Sequence, residues 1–90
     1  MSETRFRYSN HARKRMRERN ISRRQVESVV KRPDRQYPDP EDAALTIAER
    51  LTDMGNTLRV VYAETSSGLE LRTVVVVTVI RAKGDRTRES

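Results

Sequence analysis

His11, Arg15 and Arg19 recur every four residues in the stretch "YSNHARKRMRERNIS", residues 8–22. On a helix that spacing stacks one imidazole and two guanidiniums along a single face. An imidazole takes or gives a proton near neutral pH, and a guanidinium grips two phosphate oxygens without losing its charge. Such a set suits cleavage of RNA without a metal. That reaction removes a proton from a 2′-hydroxyl, gathers negative charge around phosphorus and returns a proton to the 5′-oxygen. His11 is the chain's one histidine, and Arg13, Lys14 and Arg17 crowd the same segment. The plainer alternative is a solvated basic helix with His11 at its boundary. Cations packed this densely repel one another, which favours a surface built for a polyanion.

Further candidates lie in the second half. Thr78 is the one polar residue within "VVVVTVI", and Arg81 closes that run. Thr78 could instead be a tolerated strand residue, and Arg81 the polar end of the run. Their opposite parity keeps a regular strand from aiming both at one site unless it twists or bulges near residues 79–80. Arg23 and Arg24, at the start of the next helical segment, and Arg59 and Tyr62, in "LRVVYAE", are candidate nucleic-acid contacts. Tyr8 and Tyr37 could stack on bases or serve the core.

Charge is unevenly placed. Residues 1–32 hold eleven Lys and Arg against Glu3, Glu18 and Glu27, a net of +8, whereas residues 33–90 hold eight against ten. A footprint confined to one region is what a polyphosphate partner selects. The absence of cysteine excludes disulfides and thiolate metal sites. The acidic "DPED" at 39–42 reads as a solvated loop, so no metal or other cofactor is expected. No Gly-rich phosphate loop, zinc spacing or nucleophile elbow is present. The chain shows no leader-like apolar start, and its longest largely apolar run, residues 74–80, is too short to span a bilayer. A soluble cytoplasmic protein is expected.

These residues need elements to position them. Ser9 or Asn10 caps a helix over about 10–19 that ends at Asn20, a residue tolerated in the left-handed conformation. Ser22 caps a second helix over about 23–31, stopped by Pro33. Ala12 and Met16 on the first, and Val26, Val29 and Val30 on the second, form narrow apolar stripes that require a sheet. "LRVVYAE" (58–64) and "LRTVVVVTVI" (71–80) flank the turn signal "TSSG" and predict an antiparallel hairpin. Residues 41–52 are compatible with helix or strand. A strand over about 44–52 completes a three-stranded meander, and residues 32–40 read as an extended linker. The expectation is one α+β domain, residues 1–90, with two N-terminal helices packed on a three-stranded antiparallel sheet. Its ordered part is about 6–82, followed by a flexible tail over 83–90.

"HARKRMRERNIS" resembles the pattern H-A-x-x-R-M-x-x-R-x-I-S of the bacterial domain of unknown function family 4258. "IAER", "LRVVYAE" and "VVVVTVI" followed by Arg81 extend the resemblance over about residues 6–82. Ile80 stands where members commonly carry tyrosine. The helix motif is also similar to that of ribonuclease toxins of the barnase, colicin and RelE-like group. That resemblance implies a metal-independent ribonuclease of a toxin–antitoxin or competition system. Its catalytic set would be His11, Arg15, Arg19, Thr78 and Arg81, and its partners tRNA or ribosome-associated mRNA, with an acidic antitoxin or immunity protein as inhibitor. The alternatives are a non-catalytic nucleic-acid- or ribosome-binding module and a protein-interaction domain.

Overall fold

The computed structural model describes residues 3–52, 55–67 and 71–83. The chain runs β1 (Glu3–Tyr8), α1 (Asn10–Arg19), α2 (Arg23–Lys31), β2 (Arg35–Pro38), β3 (Thr46–Leu51), β4 (Asn56–Ser67) and β5 (Leu71–Lys83). Both helices and the strand over 46–51 agree with the sequence reading. The sheet does not. It has five strands in the order β1-β5-β4-β3-β2, with β1 parallel to β5 and the other pairs antiparallel. The architecture is α+β with a mixed sheet, and the expected three-stranded antiparallel meander forms only its centre.

The two additional strands are held by their pairing partners and by the side chains they give to the core. In β1, Phe6 and Tyr8 pack against the core while Glu3, Arg5 and Arg7 are exposed, a period-two pattern that commits the segment to a sheet. In place of a linker, β2 pairs with β3 from Arg35↔Glu49 to Pro38↔Thr46. Proline is admissible there because β2 is an edge strand, so the missing N–H leaves no ladder partner unpaired. The hairpin strands are also longer than expected, with β4 running through Thr65–Ser67 of the anticipated turn. The expected flexible tail lies outside the described residues beyond Lys83.

One core holds the domain together. Ala12 and Met16 of α1, Ile21 of the connection and Val26, Val29 and Val30 of α2 cover one face of the sheet. That face presents Ala48, Leu58, Val60, Tyr62, Val74, Val76 and Val79. Asn20 takes the left-handed conformation (φ 56°), ending α1 and turning the chain into α2. Ser22 and Gln25 form a reciprocal capping box at the start of α2.

A bulge sets which β5 residues belong to that face. Val61 pairs with Thr78 but Tyr62 pairs with Val76, so Val77 is the extra residue. The inserted residue shifts parity: Val74 and Val76 face the helices before it, Val79 and Arg81 after it. A regular strand would place Val74, Val76, Thr78 and Ile80 on one face. The bulge turns Thr78 and Ile80 onto the opposite face.

Ser9 ties this bulge to α1. Its backbone N–H donates to Val76 O at 3.0 Å, and its hydroxyl donates to Val77 O at 2.9 Å. The same hydroxyl accepts the Ala12 N–H at 3.0 Å as the N-cap of α1. Ser9→Ala therefore removes a cap worth about 1 kcal/mol and a tertiary bond worth about 1 kcal/mol more. Urea unfolding of Ser9→Ala beside Ser22→Ala, which loses only the one capping bond its hydroxyl accepts from Gln25 N–H, checks this. Ser9→Ala is expected to be the more destabilised, and equal losses would show that the Val77 bond contributes nothing.

Candidate functional site

β1 covers β5 only from Leu71 to Val76, because the chain leaves the sheet at Ser9. The outer edge of β5 beyond Val77 is consequently not paired by β1, and α1 runs beside it. Here Arg15 and Arg19 meet Thr78, Val79, Ile80 and Arg81 around a cavity of about 290 Å³. Four consecutive strand residues line one cavity only when it runs along the strand's edge, where both faces are within reach. That is how Thr78 and Arg81 share it despite opposite parity. The bulge at Val77 precedes both and leaves their relative parity unchanged.

Three guanidiniums thus border one small cavity. Arg15 approaches Glu18 at 3.9 Å, but both side chains are largely exposed, so this pair holds Arg15 only weakly. Arg17 and Arg19 occupy the last turn of α1, where the helix dipole favours cations and offsets part of their mutual repulsion. A phosphodiester entering the cavity would be held by bidentate N–H donors from two elements.

The other sequence candidates are dispersed. His11 is exposed, one turn before Arg15, and does not line the cavity. Arg13, Lys14 and Arg17 are exposed on α1 and extend the basic surface. Arg23 lies over the Tyr8 ring, 5.5 Å from its centroid, so Tyr8 is covered by a cation rather than open to a base. Burial, with Glu27 adding to it and Arg23 opposing, pushes the Tyr8 hydroxyl up to about 12. Arg24 borders a separate cavity between α2 and β3–β4, floored by Val29, Leu51 and Leu58. Tyr62 is wholly buried, and its hydroxyl accepts from Gln36 Nε2 at 2.6 Å. Its ring has no surface to offer RNA, which corrects the expectation of a nucleic-acid contact there.

Arg59 belongs to a cluster that the sequence reading passed over. On the sheet face opposite the helices, Glu49 Oε2 accepts from the Tyr37 hydroxyl at 2.5 Å and from Arg59 Nε at 2.8 Å. Arg35 Nη1 lies 3.9 Å from Glu49 Oε1. Glu49 is the buried charged residue among those described, at 7% exposure, and burial alone would raise its pKa. The bonds from Tyr37 and Arg59, with the charges of Arg59 and Arg35, outweigh burial and hold the carboxyl below its usual range. Tyr37 is raised, first by its bond to Glu49 and then by burial. The signal was present in register: an acidic residue inside a strand, with Arg59 opposite it on β4 and Arg35 opposite it on β2.

In architecture this is a small α+β domain with two helices on one face of a mixed sheet and an arginine-lined cavity at a strand edge. Residues 8–81 match the family described as "Domain of unknown function (DUF4258)", and the chain belongs to that family. No curated protein and no solved structure matches the chain. Among the described residues no helix is long and apolar enough to cross a membrane, and no cluster of three His, Cys, Asp or Glu could hold a metal ion.

The lowered pKa of Glu49 has a sign that can be checked. A carboxyl depressed in the folded state stabilises it above the unfolded value, here 4.5, and that contribution is lost as pH falls through the folded value. Urea unfolding from about pH 7 down to about pH 3 should show Glu49→Gln losing less stability on acidification than wild type. Acid limbs of equal slope would mean that Glu49 is not held ionised by its partners.

Proposed function

We propose that this chain is a metal-independent ribonuclease of the toxin type, with the edge of β5 as its phosphate-binding centre. The observation that carries the reading is the meeting of Arg15, Arg19 and Arg81 around one cavity, beside the helix that bears the chain's one histidine. The guanidiniums would hold the scissile phosphodiester and stabilise the charge gathered on it. His11, one helical turn from Arg15, would serve as the acid or base. The 2′-oxygen would attack phosphorus as its proton leaves, and the 5′-oxygen would depart with a proton, giving a 2′,3′-cyclic phosphate. Thr78 would supply a hydroxyl to a non-bridging oxygen. A cytoplasmic location goes with such a substrate, and an acidic antitoxin or immunity protein could inhibit by covering the +8 N-terminal region.

One observation favours a second reading. His11 lies outside the cavity lining, and an exposed histidine without a hydrogen-bonded orienting partner among the described residues is a poor start for proton transfer. A non-catalytic RNA- or ribosome-binding module would use the same arginines and need no histidine.

Incubating wild type, His11→Ala and Arg15→Ala/Arg19→Ala with total tRNA and ribosomes in EDTA separates the two on a denaturing gel. The ribonuclease reading expects cleavage by wild type, reduced by roughly a hundredfold or more in His11→Ala. Intact RNA that both wild type and His11→Ala still shift on a native gel would leave only the binding module.

A further inference from the structure

The face of the sheet turned away from the helices carries a row of side chains that runs across the strands. Cross-strand partners give its order as Arg35 on β2, Glu49 on β3, Arg59 on β4 and Ile80 on β5. With strands about 4.8 Å apart, Arg35 and Arg59 stand roughly 10 Å from each other with the carboxylate between them. They border a cavity of about 410 Å³ that reaches Thr57 and Ala82. Ala82 adjoins Arg81, which lines the first cavity, so the two sites meet at neighbouring positions of β5. Ile80, an exposed apolar side chain in the lining of the first cavity, is the cross-strand neighbour of Arg59 in the second.

The bonding inside this cluster is unevenly used. Both short bonds to Glu49 fall on Oε2, from Tyr37 and Arg59. Among the described residues Oε1 has only Arg35 at 3.9 Å, an ion-pair separation too long for a hydrogen bond. Oε1 therefore keeps its capacity to accept. Arg59 spends Nε on Glu49, leaving its two terminal nitrogens to other partners. Arg35 is mostly exposed and lies 5.5 Å over the Tyr37 ring, which aligns its guanidinium without occupying its N–H groups. Asp34 and Arg50 also border the cavity but are engaged elsewhere, Asp34 with the Leu51 N–H and Arg50 with the Arg32 carbonyl. Of the cluster built on Glu49, the terminal nitrogens of Arg35 and Arg59 and the carboxylate oxygen Oε1 remain for a ligand in the cavity, beside the part-engaged Asp34 and Arg50.

That set matches a phosphate with a hydroxyl next to it. In a nucleic acid the arrangement is a ribose carrying a 2′-hydroxyl beside its 3′-phosphate. We propose that Arg35, Glu49 and Arg59 form a ribose-phosphate subsite for a single-stranded RNA lying across the open face of the sheet. Arg35 and Arg59 take the phosphate, and Glu49 Oε1 accepts the 2′-hydroxyl, the group by which a protein tells RNA from DNA. Ile80 supplies an apolar rest for a base between this phosphate and the one held by Arg15, Arg19 and Arg81. The inference rests on the ribonuclease or RNA-binding reading above and adds the class of substrate to it.

The test is fluorescence anisotropy with a short single-stranded RNA and the DNA of the same sequence. It is run in the His11→Ala background so that bound RNA stays intact. The His11→Ala chain should favour RNA by about tenfold, the scale of one hydrogen bond to a charged group. Adding Glu49→Ala should bring the ratio near one, because it removes Oε1 and puts neither donor nor acceptor in its place for the 2′-hydroxyl. Glu49→Asp, which keeps the charge but withdraws it by one methylene, should lose the same preference, and circular dichroism shows which variants are folded. Arg19→Ala should weaken RNA and DNA binding alike. An RNA preference that survives in a folded Glu49 variant would overturn the subsite while leaving the RNA-binding reading intact. Failure of the parent chain to bind RNA at all would overturn both.

Discussion

The Ser9 hydroxyl is the point on which the rest of the arrangement turns. It accepts from Ala12 to start α1 and donates to Val77 O at the bulge of β5. One side chain thereby ends β1, begins the basic helix and fixes that helix against the strand it flanks. Because β1 stops there, the remaining length of β5 has no strand from β1 beside it, and α1 takes that place. Arg15 and Arg19 reach Arg81 as a consequence of where the chain leaves the sheet. A helix starting one residue later would carry both arginines about 100° around its axis.

The bulge contributes in a second way. By inserting Val77 it moves Val79 into the core and leaves Thr78 and Ile80 on the open face. The strand can then be apolar on its helix side and still present a cavity at its edge. On that open face the charges are not independent. Glu49 is desolvated, and Tyr37 and Arg59 offset the cost by hydrogen-bonding its charged form. Removing any one partner would leave a buried charge incompletely paired, a costly state. The cluster therefore behaves as a unit, and its two guanidiniums are held in register by the carboxylate between them.

Much of this was legible in the chain. Ser9, Asn20 and Ser22 mark the helix ends because their side chains and conformational tolerance act locally. The hairpin followed from β-branched runs, and Arg15, Arg19 and Arg81 from their chemistry. Two strands were missed for physical reasons. In "ETRFRY" only Phe6 and Tyr8 are clearly apolar, and the pairing that stabilises the segment is parallel and more than sixty residues away. β2 is a four-residue edge strand ending in proline, and its evidence lies in its partner's register rather than its own composition. The bulge has no local marker among four consecutive valines, so the alternation of a regular strand does not give the face of Thr78. Glu49 was overlooked because its importance depends on Arg59 and Arg35, which only the sheet brings beside it.

On the proposed function, RNA engages the edge of β5 between α1 and the open face. A titration of the ¹⁵N-labelled His11→Ala chain with a short single-stranded RNA tests it most directly. The backbone amides of residues 78–82 and the side-chain Nε–Hε signals of Arg15, Arg19 and Arg81 should shift together and saturate at one RNA concentration. Shifts confined to the Arg24 cavity between α2 and β3–β4, with residues 78–82 unmoved, would contradict it.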